Sequence, residues 1–495
     1  MNTDKTVEWF PDVAAAIVNE GTTRLKAFIC VHLCSSVFSG LLLASCTVGP
    51  NYSKPQVETP PAYKQSGDWL VAQPKDDVPK GKWWEIYDDP VLNALEEQVQ
   101  VSNQSLIAAE ARYRQAQAAT RAARSALFPT LGATGSATRS GRGGGSTSNI
   151  NGNGGGGSGT SYSVLLDARW EADIWGRVRR QVEASRANEE ATAADLEAAR
   201  LSLQAELATD YVLLRVADTQ RALIEDSVKA FRTSLTIAQN RYRAGVAAKV
   251  DVVLAESQVK SNEAQAIDLR ITRAQLEHAI AVLAGKAPGD FAIEAVKFTM
   301  TGPVVPPGVP STLLERRPDI AAAERRMAAA NAQVGVAEAA YYPNLTLSGS
   351  AGFAGTQLSN LISAPNRVWS LGLDLAGTLI DFGARSAAVE SSRAAYDEAV
   401  ANYRGTVLGA FQEVENSLAS ARWLGEELQV QRDAANLARE NVTLTLNQYK
   451  AGTVGYLNVA VAQEQQLSTE RDLFNLQGRQ IGASIALIRA LGGGW

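Results

Sequence analysis

Cysteine and histidine are the side chains best suited to chemistry, and both are scarce in this sequence. The 495 residues contain three cysteines and two histidines, and Cys30, His32, Cys34 and Cys46 all lie near the N-terminus. Thiolates and imidazoles are the usual zinc ligands, and histidine is the commonest general base. The remaining histidine, His278, lies in a helical pattern between Ala and Ile residues, with no nucleophile motif beside it. The composition therefore predicts no catalytic residue, no metal site and no cofactor.

A glycine-rich segment contains a pattern that is also found in nucleotide-binding loops. Gly152, Gly154 and Gly157 satisfy G-x-G-x-x-G within residues 139–160. A dinucleotide fold needs this motif where a helix opens after a strand, with an acidic residue about 20 positions later. Here the motif lies in a low-complexity stretch between two alternating segments, so we interpret it as a mobile loop tip. The charges, 47 basic against 52 acidic, give no electrostatic indication of nucleic-acid binding either.

The N-terminal residues indicate export and lipid anchoring. A basic flank precedes an apolar run over residues 27–43, which leads into Leu43-Ala44-Ser45-Cys46. A run of this length fits a signal peptide better than a bilayer-spanning helix. The residues before the cysteine resemble a bacterial lipobox, which implies that residues 1–45 are a signal peptide and that Cys46 is acylated. Thr47 stands where lipoproteins of the inner membrane carry aspartate, which implies an anchor in the bacterial outer membrane.

The chain contains an internal duplication. Residues 237–258 align with residues 444–465 at a shift of 207, which places Gly245 on Gly452. A second alignment, at a shift of 214, places Pro129 on Pro343. Each half reads as a helix of about 30 residues, two short alternating segments, a very long helix, a glycine turn and a helix of about 35 residues.

These repeats suggest a division of the mature chain. We assign residues 46–90 to an N-terminal extended, equatorial segment, residues 91–310 to the first repeat and residues 311–495 to the second. The alternating segments form one predicted β-hairpin in each repeat, over residues 130–171 and 344–379.

The four predicted strands have the pattern of membrane strands. One face of each is apolar with aromatic residues near its ends, and the other face is small and polar, as in β-barrels of the outer membrane. A hairpin half-buried on a soluble core would look similar strand by strand. Four strands are too few to close a barrel, and an open edge in lipid would leave backbone groups unpaired. The barrel must therefore be shared between several copies of the chain.

The longest predicted helices require packing partners. The segment Arg177–Arg243 contains neither Gly nor Pro, and as a helix it would be about 100 Å long. Its repeat partner covers Ala384–Lys450. Helices of this length belong to coiled coils or bundles. The fold class predicted from these patterns is an α+β membrane protein in which a shared β-barrel continues into a tube of long helices.

Five motifs, in order along the chain, resemble one known family. They are Thr47–Tyr52, the tryptophan-rich Lys82–Pro90, Glu315–Ile320 with its Arg-Pro-Asp-Ile core, Tyr342–Leu345 and the ending Leu491–Trp495. Together they resemble the TolC-like outer-membrane factor family, and within it the OprM/NodT lipoprotein branch. The resemblance covers essentially the whole mature chain.

The resemblance implies an architecture and a function. It implies a homotrimer with a 12-stranded β-barrel, four strands per protomer, continued by a long periplasmic α-helical barrel. The function implied is the outer-membrane exit channel of a tripartite efflux pump linked to multidrug resistance. The channel would passively conduct small molecules such as drugs and toxic compounds. An inner-membrane transporter of the resistance-nodulation-division (RND) type would deliver them through a periplasmic adaptor.

The resemblance also implies where the channel closes, because in the family the turns farthest from the barrel form the gate and meet the adaptor. The candidate tip residues are Gly245, Val246, Asp251, Gly452, Thr453, Val454 and Tyr456. Some relatives carry an aspartate where this chain has Val454, so we expect a hydrophobic constriction of Val454 and Tyr456, with Asp251 able to supply charge. Arg241, Arg243 and Lys450 are candidates for ion pairs that hold the closed state. The alternative for these three cations is a solvated helix end.

Other functions fit parts of the sequence. A TolC-type conduit for type I protein secretion would use the same barrel, and its inner-membrane partners would distinguish it. A periplasmic coiled-coil scaffold without a pore would leave the membrane without detergent once Cys46 is replaced. An enzyme is the weakest interpretation, because His278 has no catalytic companions.

Overall fold

The computed structural model describes residues 47–54, 81–141, 159–298, 300, 302 and 316–493. Cys46, the predicted signal peptide and the glycine motif at residues 152–157 lie outside these residues, so the predictions made for them stay predictions.

The described elements follow the predicted repeat. The first repeat contains α1 (Pro90–Ser102), α2 (Gln104–Ser125), β1 (Thr130–Ser140), β2 (Gly159–Ala172), α3 (Arg177–Arg243) and α4 (Lys249–Leu283). The second contains α5 (Pro318–Ala339), β3 (Asn344–Gly355), β4 (Arg367–Ala376), α6 (Ala384–Ala451) and α7 (Tyr456–Ala490). Helices α3 and α6 have 67 and 68 residues, and α4 and α7 have 35 each. The predicted long helices are therefore confirmed to within one residue at their ends.

The predicted first helix is broken into two, which corrects the expectation of one continuous helix of about 30 residues. Asn103 separates α1 from α2 and has extended backbone angles, φ −67° and ψ 122°. Its side-chain oxygen accepts a hydrogen bond from the backbone N–H of Leu106 at 3.0 Å, and its amide donates to the carbonyl of Leu283 at 2.8 Å. Asn103 thus caps α2 and ties it to the end of α4.

The four strands form one antiparallel sheet in the order β1-β2-β3-β4. Thr130 lies opposite Arg169 in the first hairpin, and Asn344 lies opposite Ala376 in the second. Within the described residues, β1 and β4 each have one neighbouring strand only, and both are exposed along their whole length. The sheet is therefore open at both edges.

The first of two compact units contains this sheet. Its described residues are 47–52, 121–141, 159–184 and 331–394, so it draws on both repeats. Buried Arg180 holds the N-terminal segment by donating hydrogen bonds to the carbonyls of Val48 and Gly49 and to the side chain of Asn51. Gly49 packs directly against Gly335, where a Cβ on Gly49 would lie 2.4 Å from the Cα of Gly335. This contact requires glycine.

The second unit contains the helical core. Among its described residues, one apolar cluster joins three helices through Phe231 of α3, Val259 of α4 and Leu467 of α7. Another joins α6 and α7 through Leu428 and Leu476. No helix in the described ranges is both long enough and apolar enough to span a membrane. The long helices thus bury apolar stripes against each other.

The Arg-Pro-Asp motif that contributed to the resemblance has a structural role in this second unit. Arg317 is buried and pairs with Asp319 at 2.6 Å and with Glu413 of α6 at 2.8 Å. It also donates to the carbonyl of Ala490, the last residue of α7, at 2.9 Å. One side chain therefore ties the start of α5 to α6 and to the end of α7.

Candidate functional site

The candidate site consists of the two glycine turns that join α3 to α4 and α6 to α7, and both end their helices in the same way. Gly245 has φ 73° and Gly452 has φ 79°, in the left-handed region that favours glycine. The backbone N–H of Val246 bonds to the carbonyl of Arg241 at 3.0 Å, and that of Thr453 bonds to the carbonyl of Gln448 at 3.1 Å. These bonds between residues five apart, next to a left-handed glycine, form Schellman motifs.

The guanidinium of Arg241 joins the two turns. Its Nη1 donates to the carbonyl of Tyr449 at 2.7 Å and to the carbonyl of Lys450 at 3.4 Å. The same guanidinium lies over the ring of Tyr449, 4.8 Å from its centroid. A cation at the C-terminal end of α6 is favourable because the last carbonyls of a helix lack intrahelical partners. The end of α3 thereby stabilises the end of α6.

Beneath this contact lies a pair of buried tyrosines. The rings of Tyr449 and Tyr456 meet edge to face with centroids 5.6 Å apart, and their side chains are 1% and 0% exposed. The hydroxyl of Tyr456 donates to Oε1 of Gln258 on α4 at 3.1 Å, whereas the hydroxyl of Tyr449 has no partner among the described atoms. Burial raises the pKa of Tyr456 to about 12, so its hydroxyl stays protonated. Val454 packs against this cluster and is half-buried.

The buried position of Tyr456 corrects one expectation. A hydrophobic constriction needs side chains that face a lumen, but the ring of Tyr456 is enclosed by its own chain. Its role in the structure is to hold the second turn against α4. The constriction at Val454 stays a prediction.

The predicted ion pairs are also replaced by other contacts within the described chain. Arg241 binds backbone carbonyls, and Arg243 donates to the side chain of Asn240. In the ranges that the structure describes, no carboxylate lies within ion-pair distance of Arg241, Arg243 or Lys450. Burial is the main cause of the raised pKa of Tyr449. The negative charge of Asp251 adds to this rise, and the positive charge of Arg241 opposes it. Pairing of these cations with another copy stays a prediction.

The remaining tip residues form an exposed surface. Val246 is 64% exposed, and Thr453 is also exposed although its hydroxyl donates to the carbonyl of Gln448 at 3.0 Å. Next to the turns, an open groove of about 550 Å³ runs between α4 and α7. Its lining is mainly apolar and hydroxyl-bearing, with residues such as Leu254, Ser257 and Val461. The groove can accept an apolar surface, and it offers no set of groups for catalysis.

Sequence reasoning overlooked two members of this site. Tyr449 is the repeat partner of Tyr242, yet Tyr242 is 45% exposed while Tyr449 is buried. Gln258 carries no motif at all. The repeat alignment marked the tyrosine position, but it did not separate the two environments. In the described ranges, no group of three or more His, Cys, Asp or Glu residues could hold a metal ion.

The sequence is similar to a known protein family and to named proteins. The family described as outer membrane efflux protein matches residues 95–286 and 309–493, one segment in each repeat. Nodulation protein T of Rhizobium leguminosarum bv. trifolii is 30% identical over 439 residues, which are 88% of this chain and 92% of that protein. The solvent efflux pump outer membrane protein SrpC of Pseudomonas putida is 30% identical over 472 residues, 93% of this chain and 97% of that protein.

The fold is also that of solved outer-membrane channels. The outer-membrane channel OprN aligns with a TM-score of 0.83 and 31% identity over 91% of this chain and 100% of that chain. The predicted fold class, in which β-barrel strands are combined with long channel-forming helices in a duplicated chain, is confirmed.

Proposed function

Because this chain belongs to the outer membrane efflux protein family, a family of channels and not of enzymes, we propose that it is the outer-membrane exit channel of an efflux pump. The channel conducts small molecules passively, and an inner-membrane pump supplies the energy. The observation that carries this proposal is the four-stranded sheet with two open edges, in a chain whose family lies in the outer membrane.

The open edges support assembly into a trimer. A strand edge in lipid leaves backbone N–H and C=O groups without partners, so membrane sheets close into barrels. Three copies with four strands each give the 12 strands that the resemblance implied. Large apolar side chains on β1 and β4 are exposed in the single chain, and Leu131 and Leu371 are each more than 80% exposed. Contact with lipid or with another copy would cover them.

Helix α6 gives independent support for a partner copy. Four large apolar side chains at intervals of seven residues remain 53 to 70% exposed; they are Trp423, Val430, Leu437 and Leu444. A seven-residue apolar repeat is the pattern of a coiled-coil seam. In the described part of the chain this seam has no helix against it, while the opposite face of α6 packs on α7. A second copy would supply the missing helix.

The proposed partners are a periplasmic adaptor and an RND-type inner-membrane transporter. The groove between α4 and α7 at the tip is apolar enough to receive an adaptor helix. The name of SrpC, a solvent efflux pump protein, favours small apolar molecules as the exported class and gives no support to protein secretion. We also propose that Cys46 carries lipid that anchors the mature chain in the outer membrane. The support for this is the resemblance of residue 46 and the preceding run to a lipoprotein signal.

Reconstitution and complementation test the proposed function. The purified protein in detergent should have the mass of a trimer and should form ion-conducting channels in planar bilayers. A strain that lacks the protein should become more sensitive to toluene and to hydrophobic antibiotics, and the wild-type chain should restore tolerance. Affinity purification of the cross-linked chain should recover an adaptor and an RND transporter. Recovery of an ABC transporter together with loss of a secreted protein would instead favour type I secretion.

A further inference from the structure

The two faces of the four-stranded sheet differ in charge. Residues directly opposite each other in paired strands lie on the same face, so the register assigns every strand residue to a face. One face is polar and carries all the carboxylates of the four strands, which are Asp167, Glu171 and Asp374. The other face is mainly apolar, and its two charged side chains within the described strands are Arg139 and Arg367. Both arginines are exposed, so packing within the chain does not account for them.

The two arginines lie at the same end of the sheet. Arg139 is next to the last residue of β1, and Arg367 is the first residue of β4, so both are at the hairpin-loop end. The long helices begin after β2 and β4, at the opposite end. Along each strand, nine residues separate the ends of the apolar stretch, Leu131 to Arg139 and Arg367 to Leu375. A tilted strand of about 9 to 11 residues crosses the hydrocarbon core of a bilayer. In the proposed channel, the arginines therefore lie at the level of the outer headgroups.

Aromatic side chains surround the two arginines on the apolar face. Trp369 is two residues from Arg367 on the same strand and is 77% exposed. Phe353 lies directly opposite Arg367, and Tyr162 lies diagonally opposite Arg139. Tryptophan and tyrosine are enriched at the headgroup level of membranes. These neighbours agree with the depth that the strand lengths give.

The loop end of the sheet has no carboxylate that could neutralise the arginines. Neither residues 131–166 nor residues 345–373 contain an aspartate or a glutamate. In the ranges that the structure describes, neither Arg139 nor Arg367 forms an ion pair. A partner of negative charge must therefore come from outside these segments.

The helix end of the sheet is organised differently. There Arg177 binds Glu171 at 2.7 Å, and Arg385 binds Asp381 at 2.5 Å. The chain thus supplies its own carboxylates to arginines at one end of the sheet and supplies none at the other. This contrast indicates that the two loop-end arginines serve an anionic partner.

We propose that Arg139 and Arg367 bind the phosphate groups of lipid headgroups in the outer leaflet. We name Arg139, Tyr162, Phe353, Arg367 and Trp369 the loop-end surface. The inference rests on the proposed outer-membrane channel and assigns a class of lipid to its barrel. A guanidinium donates two parallel hydrogen bonds to a phosphate, and its charge is complementary to that of the phosphate. The apolar face below the arginines contacts the acyl chains of the same lipid.

The position of the arginines favours a lipid over a soluble anion. An anion that passes through the channel would meet the polar face, where Arg169 lies among carboxylates and serines. Arg139 and Arg367 lie on the opposite face, beside the apolar band. A ligand for them must combine negative charge with apolar chains, and a phosphorylated lipid has both.

Binding of defined lipids tests the proposal. The purified protein in neutral detergent is titrated with a glycolipid that carries two phosphate groups, diphosphoryl lipid A, and with the same glycolipid after removal of its phosphates. Native mass measurement counts the bound lipids. We expect the phosphorylated form to bind at least about tenfold more tightly, because charged hydrogen bonds are lost without the phosphates. Inorganic phosphate and dextran sulfate, a soluble polyanion, should compete poorly because both lack acyl chains. Strong competition by either would overturn the assignment to lipid.

Substitutions test the residues. Arg139→Gln/Arg367→Gln should lower the affinity for the phosphorylated glycolipid by about tenfold or more. The matched control Arg114→Gln/Arg169→Gln removes the same charge from exposed positions on α2 and on the polar face of β2, and it should bind like the parent protein. Arg139→Lys/Arg367→Lys keeps the charge and loses the paired hydrogen bonds, so its affinity should be intermediate. The lysine variant also tests the surface if the glutamine variant does not assemble.

The outcomes separate this inference from the proposed function. Equal loss of affinity in the two glutamine double variants, or no loss in either, would overturn the loop-end surface. The same preparations are assayed for native mass and for conductance in planar bilayers. A conducting trimer that binds the phosphorylated and dephosphorylated glycolipids equally contradicts the loop-end surface alone. A monomer without conductance contradicts the proposed channel as well.

Discussion

Arg241, at the end of α3, donates a hydrogen bond of 2.7 Å to the backbone carbonyl of Tyr449, at the end of α6. The two residues are 208 positions apart in the chain and belong to different repeats. Their contact is reinforced by the guanidinium over the Tyr449 ring. It fixes one helical hairpin to the other at the end where the channel is expected to close.

Removal of this contact should loosen the tip. For Arg241→Ala we expect a higher conductance of the resting channel, because a charged hydrogen bond of about 1.5 to 3 kcal/mol is lost at the helix end. Conductance in planar bilayers and amide hydrogen exchange of residues 449–456 measure the effect. Arg243→Ala is the matched control, because the hydrogen bond of Arg243 goes to Asn240 of its own helix and does not join the two turns. Equal effects of the two variants would show that general positive charge matters and the contact does not.

Val454 should narrow the closed channel. Val454→Ala removes two methyl groups from a half-buried side chain beside the tyrosine pair, and we expect increased conductance of the closed state. Val101→Ala, a distant exposed position, makes the same deletion as a control. Tyr456→Ala should raise conductance as well, through collapse of the turn, whereas Tyr456→Phe keeps the ring and should have a smaller effect. Unchanged conductance in both alanine variants at positions 454 and 456 would rule out this gate.

The exposed stripe on α6 should hold the copies together. Leu437→Glu places a charge in the middle of the seven-residue repeat, so we expect dissociation of the trimer at lower temperature or lower detergent concentration. Gln429→Glu introduces the same side chain at an exposed position outside the stripe and should leave the trimer intact. Native mass measurement compares the two. A fully trimeric Leu437→Glu variant with unchanged dissociation would show that the stripe faces solvent.

A buried carboxyl on α1 should make stability depend on pH. Glu96 is fully buried with no hydrogen-bond partner in the described chain, and burial raises its pKa to about 9. The folded protein therefore keeps a proton that the unfolded chain releases above its ordinary pKa of 4.5. Stability from this group is full below pH 4.5 and declines as the pH rises towards 9, by roughly 1.4 kcal/mol per pH unit.

The variant Glu96→Gln should remove this dependence. At pH 8 it should unfold at a higher temperature than the parent protein, and the difference should narrow at pH 5. Glu110→Gln, at an exposed position on α2, should change neither curve. Thermal unfolding followed by circular dichroism provides the measurement. A parent protein with the same pH profile as Glu96→Gln would mean that another group neutralises Glu96 in the assembled channel.

Lipid attachment at Cys46 predicts a specific fractionation result. Radioactive palmitate should label the wild-type chain and not Cys46→Ser. The variant should nevertheless need detergent for extraction, because the proposed barrel holds it in the membrane. Release of Cys46→Ser by a salt or carbonate wash would instead favour a periplasmic scaffold without a pore.

Elements with strong local signals were predictable from sequence. The ends of α3 match the prediction because Arg177–Arg243 contains no residue that breaks a helix, and a glycine with a left-handed backbone follows. The strands were visible from alternation with period two. The break at Asn103 was overlooked, because the residues around it continue a helical pattern. One of the two bonds that stabilise the break goes to Leu283, which is far away in the sequence.

In the candidate site, the burial of each side chain and the partner of each cation depend on contacts between distant residues, so the sequence did not reveal them. Tyr242 and Tyr449 occupy equivalent positions of the two repeats, yet one is exposed and the other is buried. Their difference depends on Arg241 and Tyr456, which pack on Tyr449. A cation at a helix end looks the same in sequence whether it binds a carboxylate, a carbonyl or water.

The sequence by itself determined the duplication, the four strands, the lengths of the long helices and the positions of the glycine turns, because each depends on backbone preferences and side-chain periodicity over neighbouring residues. The tertiary structure decided which side chains are enclosed. It placed Tyr456 inside its own chain, joined β2 to β3 and left β1 and β4 open. Burial and strand pairing arise between residues far apart in the chain, and their energies depend on three-dimensional packing that local patterns do not specify.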